Sequence, residues 1–168
     1  AASLYTGSFM GLSGMSANME FGKAFTTRPT GLHGYYKYTP AVINKVDRTP
    51  AGVTIVQGET MDQCAIFIAL AKKTFTFNNK KEDQYIQYAT DPNIIAYGEL
   101  PSGAATEGDG YVEFNIPLKY KNLTDQPTHI IVVCSSSKYG DYMTGGAGST
   151  LYVDDLSLIY DGTPTIWE

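Results

Sequence analysis

Apolar and polar side chains alternate with a period of two along residues 111–120. The apolar set is Val112, Phe114, Ile116, Leu118 and Tyr120, and the polar set is Glu113, Asn115, Pro117 and Lys119. Because successive side chains of a β-strand point to opposite faces, this pattern predicts a strand with one buried face and one solvated face.

Two further runs, residues 64–70 and 130–134, are apolar on both parities, which predicts central strands covered on both sides. Strands are also predicted at residues 4–9, 32–39, 94–100 and 151–160, with turn sequences between them. Only residues 80–88 predict a helical turn or two. Many short strands and few helices indicate one all-β domain over residues 1–168, a two-sheet antiparallel jelly-roll sandwich.

The charge balance excludes several classes of partner. Twelve basic and 17 acidic residues give a net charge of −5, and no basic run occurs. Nucleic acid and anionic membrane surfaces are therefore excluded, since both need clustered Lys and Arg. No apolar stretch approaches the roughly 20 residues of a membrane helix. The chain opens on Ala1-Ala2-Ser3 without a signal peptide, so we expect a mature or excised fragment.

Nucleophilic chemistry finds little support in the sequence. Cys64 and Cys134 lie in apolar runs and are predicted to be small buried side chains, or alternatively to bridge neighbouring strands. His129 lies five residues from Cys134 on one predicted strand, so the two point to opposite faces. Residues 135–137 are three serines without a Gly-x-Ser-x-Gly elbow. The glycine-rich residues 145–148 lead into a strand, which predicts a flexible loop tip rather than a phosphate loop.

Acidic residues leave glycoside hydrolysis open as an alternative. Most glycosidases use two carboxylates roughly 5–9.5 Å apart. The sequence cannot place two acids across one groove, and most are predicted to be solvated surface charges. The candidates are Glu59, Asp62, Glu82, Asp83, Glu99, Glu113 and Asp141.

Asp154 is the acid with the most informative position. In a regular strand it would share a buried face with Tyr152, Leu156 and Leu158, where an unpaired charge is very costly. It would then be held by a calcium ion or by hydrogen bonds. A β-bulge at Asp154-Asp155, with both acids turned to solvent, is the alternative.

Tyrosine is abundant, with 13 copies against seven Phe and one Trp. On the strand over residues 34–38, Tyr36 and Tyr38 share one face while Tyr35 and Lys37 share the other. One pair is expected in the core and the other on the sheet surface, where a ring face and a polar edge suit a sugar. Which pair is exposed stays open, as does a purely structural role. Residues 139–142 form a second cluster of aromatic and acidic side chains, near a strand end.

Four ordered blocks carry a family resemblance. They are residues 28–40 (RPTGLHGYYKYTP), 116–120 (IPLKY), 135–141 (SSSKYGD) and 145–155 (GGAGSTLYVDD). From about residue 5 to residue 160, the chain resembles the putative carbohydrate metabolism domain, a family of Bacteroides-type surface and periplasmic proteins.

The resemblance implies a galactose-binding-like jelly roll, similar to carbohydrate-binding modules, in a secreted, periplasmic or outer-surface lipoprotein. It implies an upstream immunoglobulin-like domain, so this chain is expected to be the C-terminal fragment of a longer protein. In the corresponding last strand of many carbohydrate-binding modules the first of two acids ligates a structural calcium, which maps to Asp154. Glycoside hydrolase activity has also been suggested for the family.

The resulting hypothesis is non-catalytic binding of a glycan or polysaccharide, with no cofactor required beyond the calcium considered for Asp154. Glycoside hydrolysis and a structural or adhesin role toward protein are the alternatives. Arg28 is expected either to donate its planar guanidinium fork to the ligand or to form a structural ion pair. The predicted ligand-binding residues are Arg28, Tyr35, Tyr36, Lys37, Tyr38, Ser137, Tyr139 and Asp141.

Overall fold

The computed structural model of the protein describes residues 2–168, and its regular structure is nearly all β-strand. The first strands are β1 Ser3–Tyr5, β2 Gly7–Ser13, β3 Ser16–Phe21, β4 Lys23–Ala24, β5 Gly31–Thr39, β6 Ala65–Ala71 and β7 Phe75–Asn78. The later strands are β8 Ile94–Glu99, β9 Val112–Pro117, β10 Lys119–Tyr120, β11 His129–Ser135, β12 Thr150–Ile159 and β13 Thr165–Ile166.

Two 3₁₀ turns, Glu82–Gln84 and Gly140–Tyr142, are the helical elements of the described chain, and the first confirms the helical turn predicted within residues 80–88. Neither is long or apolar enough to cross a membrane.

The predicted antiparallel sandwich is confirmed. The larger sheet has the order β1-β11-β6-β8-β10-β13, with β4 also pairing with β11, and the smaller sheet has the order β12-β5-β9. Only the two-residue pairing of β10 with β13 is parallel among the described strand pairs. Between the sheets lies a core in which Leu32 and Phe114 from the smaller sheet meet Ile68 and Ile95 from the larger one. Of the five even-numbered residues predicted to be buried, four are at most 5% exposed (Phe114, Ile116, Leu118 and Tyr120), whereas Val112 at the start of β9 is 36% exposed.

A third sheet explains why two strand segments are apolar on both parities. It has the order β2-β3-β7 and covers the opposite face of the larger sheet. On β11, Ile130 and Cys134 face the first core, whereas Ile131 and Val133 face the second core with Phe21 and the Phe side chains of β7. The strand is therefore covered on both sides, as predicted. Strands β3 and β7 were not predicted, because their sequences SANMEF and FTFN mix polar residues into short runs.

Both cysteines are buried free thiols. Cys134 pairs in register with Ile66, and Cys64 precedes that strand, so the interstrand bridge considered from the sequence is not formed. Burial raises the pKa of each thiol to about 11, which keeps both protonated and unreactive at neutral pH.

Candidate functional site

A groove of about 680 Å³ lies between the β2–β3 hairpin and the loop that follows the Gly140 turn. Its size falls within the usual range of ligand sites, about 300–1,000 Å³. One side is apolar and includes an aromatic ring, Phe9, that is 60% exposed. We call it the Asp141 groove; its apolar lining is Tyr5, Phe9, Met19 and Met143, and its polar lining includes Asn44, Lys45, Asn79, Asp141 and Thr144.

Asp141 stands on the rim of this groove, at the centre of the Gly140 turn. Its backbone carbonyl accepts hydrogen bonds from the Arg48 guanidinium (3.1 Å) and from the Tyr85 hydroxyl (2.9 Å). Desolvation raises the pKa of its carboxyl group, with Arg48 acting in the opposite direction. No side chain among residues 2–168 donates a hydrogen bond to this carboxylate, so its oxygens are available to a ligand.

Arg48 connects several chain segments next to Asp141 through its guanidinium group. Its Nη1 forms an ion pair with Glu82 (2.9 Å), and its Nη2 donates to the carbonyl of Asn79 (2.7 Å). The guanidinium also lies 5.6 Å from the centre of the Tyr142 ring. Because these partners belong to the two 3₁₀ turns and to the residue that follows β7, Arg48 fixes one wall of the groove.

Met143 adopts an unusual backbone conformation at the end of the Gly140 turn. Its φ of 58° lies in the left-handed region, which costs a non-glycine residue of order 1–3 kcal/mol and is common at the C-terminal end of a helical turn. The Asn79 amide donates to the Met143 sulfur (3.3 Å), while its carbonyl oxygen accepts from the amide of Ala17 (2.8 Å). Asn79 thus connects the hairpin to the loop across the groove.

Asp62 supports the opposite wall from inside the protein. The Asp62 residue is only 2% exposed to solvent. Oδ2 accepts hydrogen bonds from Ser137 Oγ (2.6 Å), Gly146 N (2.8 Å) and Ser149 Oγ (2.8 Å), and Oδ1 accepts from Gln63 N (2.9 Å). Four donors compensate the buried charge. Asp62 is therefore an exception among the candidate acids, most of which were predicted to be solvated surface charges.

The glycine-rich loop is packed rather than free at its beginning. Gly145 exchanges backbone hydrogen bonds with Lys45 (3.0 and 3.2 Å). A Cβ on Gly146 would lie 2.7 Å from the carbonyl oxygen of Val42 and 2.8 Å from that of Ala41. Only the following two residues form an exposed tip, so the prediction of a loop tip applies to part of the segment and its flexibility stays a prediction. As expected, the loop leads into strand β12 and not into a helix.

Strand β5 resolves which of its residues face solvent. Tyr36 packs against Phe114 with 5.7 Å between ring centres, and Tyr38 is fully buried. The Tyr38 hydroxyl donates to the carbonyl of Ser136 (2.8 Å), and burial raises the pKa of this phenol. The predicted split between a core pair and a surface pair is confirmed. Tyr36, which is half-buried, and Tyr38 form the core pair, so of the four predicted ligand-binding residues of this strand Tyr38 has no exposed surface for a ligand.

The surface pair lies on the outside of the smaller sheet. Tyr35 donates its hydroxyl hydrogen bond to Glu113 (3.1 Å), and Lys37 donates to the carbonyl of Asp109 (2.8 Å). In register, Tyr35 stands between Glu113 and Asp154, and Lys37 lies beside Tyr152. We call this the outer sheet face, comprising Tyr35, Lys37, Glu113, Tyr152 and Asp154. It is not part of the lining of the Asp141 groove.

Asp154 shares that exposed face with Tyr152, and a β-bulge just after it turns Leu158 towards the core instead. The register of β12 with β5 shifts between Asp154 and Ser157, and Asp155 has a φ of 54°. Asp154 is exposed, and its Oδ1 accepts a hydrogen bond from Asp155 N (2.8 Å). The premise of a buried Asp154 was therefore wrong, and the alternative bulge is confirmed. Among residues 2–168 no three His, Cys, Asp or Glu side chains are grouped so that they could hold a metal ion.

Arg28 lies at the far end of β5, close to the β10 strand. Its guanidinium donates to the backbone carbonyls of Asp125 and Asn122, and it lies 4.7 Å from the centre of the Tyr120 ring. The Arg28 side chain therefore stabilises a turn. It does so through hydrogen bonds to backbone carbonyls and not through the ion pair considered from the sequence. About 30 Å of extended strand separates it from the end of β5 near the groove.

Of the predicted loop residues, only Asp141 lines the groove directly. Ser137 is buried beneath the wall as a donor to Asp62, and the carbonyl of Tyr139 accepts from Tyr142 N (3.0 Å). Sequence reasoning missed Phe9, Asn44 and Lys45. The groove residues come from segments far apart along the chain, so local sequence patterns do not reveal the groove. The one available signal was the position of Phe9 in an uncharged strand.

Comparison with known proteins places this fold among carbohydrate-related proteins. The sequence model of a family described as putative carbohydrate metabolism domain matches residues 1–159. No curated protein sequence matches significantly.

Two solved structures, each described as a putative glycoside hydrolase, share the fold. The one from Bacteroides thetaiotaomicron is 24% identical over 88% of this chain and 48% of its own, with a TM-score of 0.61. The one from Bacteroides vulgatus is 20% identical over 87% of this chain and 64% of its own, with a TM-score of 0.62. This chain therefore spans about half of the first protein and less than two thirds of the second.

Proposed function

The chain belongs to the family described as putative carbohydrate metabolism domain, and on this premise we propose that it is a non-catalytic module that binds a glycan in the Asp141 groove. One observation carries the proposal: an exposed aromatic ring, Phe9, and the polar side chains of Lys45 and Asp141 border the same groove. A sugar has apolar C–H faces and a rim of hydroxyls. A ring face therefore suits its faces, while a carboxylate and an ammonium group suit its hydroxyls.

The composition of the groove favours binding over hydrolysis. Asp141 is the single carboxylate among the described residues that line it, whereas the common glycosidase mechanisms need two. Hydrolysis stays the second candidate because desolvation raises the pKa of Asp141, as it does for a general acid. Assays for released reducing ends in the same protein–glycan mixtures distinguish the two functions.

The first prediction concerns matched pairs of variants. In calorimetric titrations with the host and plant polysaccharides that raise the unfolding temperature, Asp141→Ala and Phe9→Ala should each weaken binding about tenfold or more. Asp154→Ala and Tyr152→Ala remove an acid and an exposed ring from the outer sheet face, and they should leave the affinity unchanged. The reverse result would move the ligand to the outer sheet face with Tyr35 and Lys37. A complete lack of glycan binding would reject the function.

The pH dependence provides a second prediction. As the pH falls, Asp141 becomes protonated and loses its capacity as a charged acceptor, so binding should weaken at a higher pH than an ordinary Asp would give. Folding stability should change in the opposite direction, because a raised folded-state pKa favours the protonated form. The stability that this group contributes is present at low pH and is lost as the pH rises through its folded pKa. Asp141→Asn should abolish both effects, and an unchanged pH profile of binding would place the carboxylate outside the contact.

The remaining aspects of the biological context are part of the proposal. We place the protein in the periplasm or on the outer cell surface as part of a lipoprotein, downstream of an immunoglobulin-like domain. The family resemblance supports this setting, and cell fractionation together with the full gene sequence tests it. Calcium binding near Asp154 also stays a prediction, which a comparison of thermal unfolding with calcium and with chelator tests.

A further inference from the structure

The apolar lining of the Asp141 groove extends deeper than one sugar ring requires. Phe9 is 60% exposed and can cover the C–H face of a ring. Tyr5 and Met19 also line the groove, but they are partly buried and pack against the second core. Met143 contributes to the lining from the end of the Gly140 turn. Because the flexible thioether side chains of methionine adapt to small apolar groups, this deeper part suits a methyl substituent of a sugar.

The polar lining of the groove supplies one hydrogen-bond acceptor and two donors. The acceptor is the Asp141 carboxylate, to which no side chain of residues 2–168 donates. Lys45 is the first donor, and no carboxylate of the described chain forms an ion pair with it. Asn44 is the second, because its Oδ1 accepts from Ala147 N (3.0 Å) and its NH₂ group is left to donate. A secondary amide, with one N–H donor and one carbonyl acceptor, complements this set.

Other classes of sugar match the groove less completely. A neutral hexose offers hydroxyls to the polar groups but no methyl group to the deeper apolar lining. The ammonium group of an amino sugar would pair with Asp141, but it would share the groove with the Lys45 ammonium and leave the apolar lining in water. A uronate or sulfate group would meet Asp141, and the net charge of −5 disfavours anionic polymers in general.

We infer that the ligand of the Asp141 groove is a glycan that contains 2-acetamido sugars. Asp141 accepts the hydrogen bond of the acetamido N–H, and Lys45 and Asn44 donate to its carbonyl oxygen. The methyl group packs against Met19 and Met143. This inference rests on the proposed function and adds the chemical class of the ligand. N-acetylglucosamine and N-acetylgalactosamine both carry this group, so either type of glycan is a possible source.

Titration calorimetry with three matched tetrasaccharides tests the inference. Chitotetraose and cellotetraose have the same β-1,4-linked backbone and differ in an acetamido group against a hydroxyl group on carbon 2, and the deacetylated tetramer carries an amine there. Chitotetraose should bind at least about tenfold more tightly than either of the others, since one additional methyl group in an apolar pocket already discriminates by about that factor. Nuclear magnetic resonance titrations with N-acetylgalactosamine and with galactose test the second source in the same way.

Lys45→Met provides a variant that acts on the amide carbonyl. It removes the ammonium donor and keeps most of the aliphatic stem, so the affinity for chitotetraose should fall about fivefold or more. The matched control is Lys119→Met, at an exposed position on β10 outside the groove lining. Both substitutions change the net charge from −5 to −6, so a general charge effect would appear in both. Thermal unfolding establishes that both variants fold. Equal affinities of the two variants would overturn the role of Lys45.

The outcomes separate the ligand class from the function itself. Cellotetraose or the amine tetramer binding as tightly as chitotetraose would overturn the inference, because the groove would then not recognise the acetamido group. A polysaccharide that binds when neither 2-acetamido probe does, and that Asp141→Ala releases, would also overturn the inference and would leave the proposed function in place. Binding of no glycan at all would reject the proposed function and the inference together.

Discussion

Replacing Asp62 with Ala should lower the free energy of unfolding by about 3–5 kcal/mol, because the loss of a buried carboxylate leaves several buried donors without an acceptor. Ser137, Gly146, Ser149 and Gln63 all donate to this one side chain. Asp62→Asn should also destabilise the fold. The amide nitrogen of the substituted side chain is a hydrogen-bond donor, and it would face groups of the site that are also donors. At least one hydrogen bond would therefore become a repulsive contact. Urea unfolding followed by circular dichroism measures both effects.

The matched control for this prediction is Asp154→Ala on the outer sheet face. Asp154 is exposed, and a substitution of this kind usually changes stability by no more than about 0.5 kcal/mol. Equal losses for the two variants would show that Asp62 is not a structural acceptor. Glycan titration of the Asp62→Asn protein, where it remains folded, should show weaker binding, since the Gly146 wall of the groove loses its anchor.

Gly146→Ala should destabilise the protein by about 1–3 kcal/mol, the usual cost of forcing an extra methyl group into a packed site. The added Cβ would meet two backbone carbonyl oxygens, those of Val42 and Ala41, and neither can rotate away. The loop must therefore move outward, which lengthens the bond from Gly146 N to Asp62. Unfolding in urea and glycan affinity should both change, because this glycine lines the groove.

Gly110→Ala is the control for that substitution. Nothing lies within 4 Å of the position that its Cβ would occupy, and its backbone does not require glycine. The change should be neutral or stabilise the protein by up to about 1 kcal/mol through the unfolded state. A Gly146→Ala protein as stable as the unmodified one would mean that the loop is free, as its glycine-rich sequence suggests.

The two informative acids show where sequence reasoning succeeds and where it fails. The pattern of a strand predicts which side chains are buried only if the strand is regular. The bulge after Asp154 reverses which alternate residues of β12 face the core. Asp62 had no local signal, because its donors Ser137, Gly146 and Ser149 lie 75 or more residues away in sequence. Asp154, which a regular strand would have buried, is exposed, and Asp62, which had no individual prediction, is buried.

The strands themselves were predictable because their signals are local. The apolar runs of β6 and β11 cover both parities, and this pattern alone predicted two central strands; that they are neighbours in the larger sheet is seen only in the structure. The tyrosine strand was correctly divided into two faces, although only the structure shows which face is buried. The groove was not predictable, since it combines Phe9, Lys45, Asn79 and Asp141 from four separate segments.

The order of strands in the two main sheets restricts how the chain can fold as it is synthesised. Strand β1 pairs with β11 through partners such as Leu4 and Cys134, and β5 lies between β9 and β12. The first 110 residues therefore cannot complete either sheet. Strand edges of the nascent chain stay unpaired until its C-terminal third has been synthesised. Pairings between such distant segments slow folding, and we expect the isolated domain to refold in milliseconds to seconds rather than microseconds. During that interval the exposed apolar side chains of β2, a strand without charged residues, are a site for misassembly.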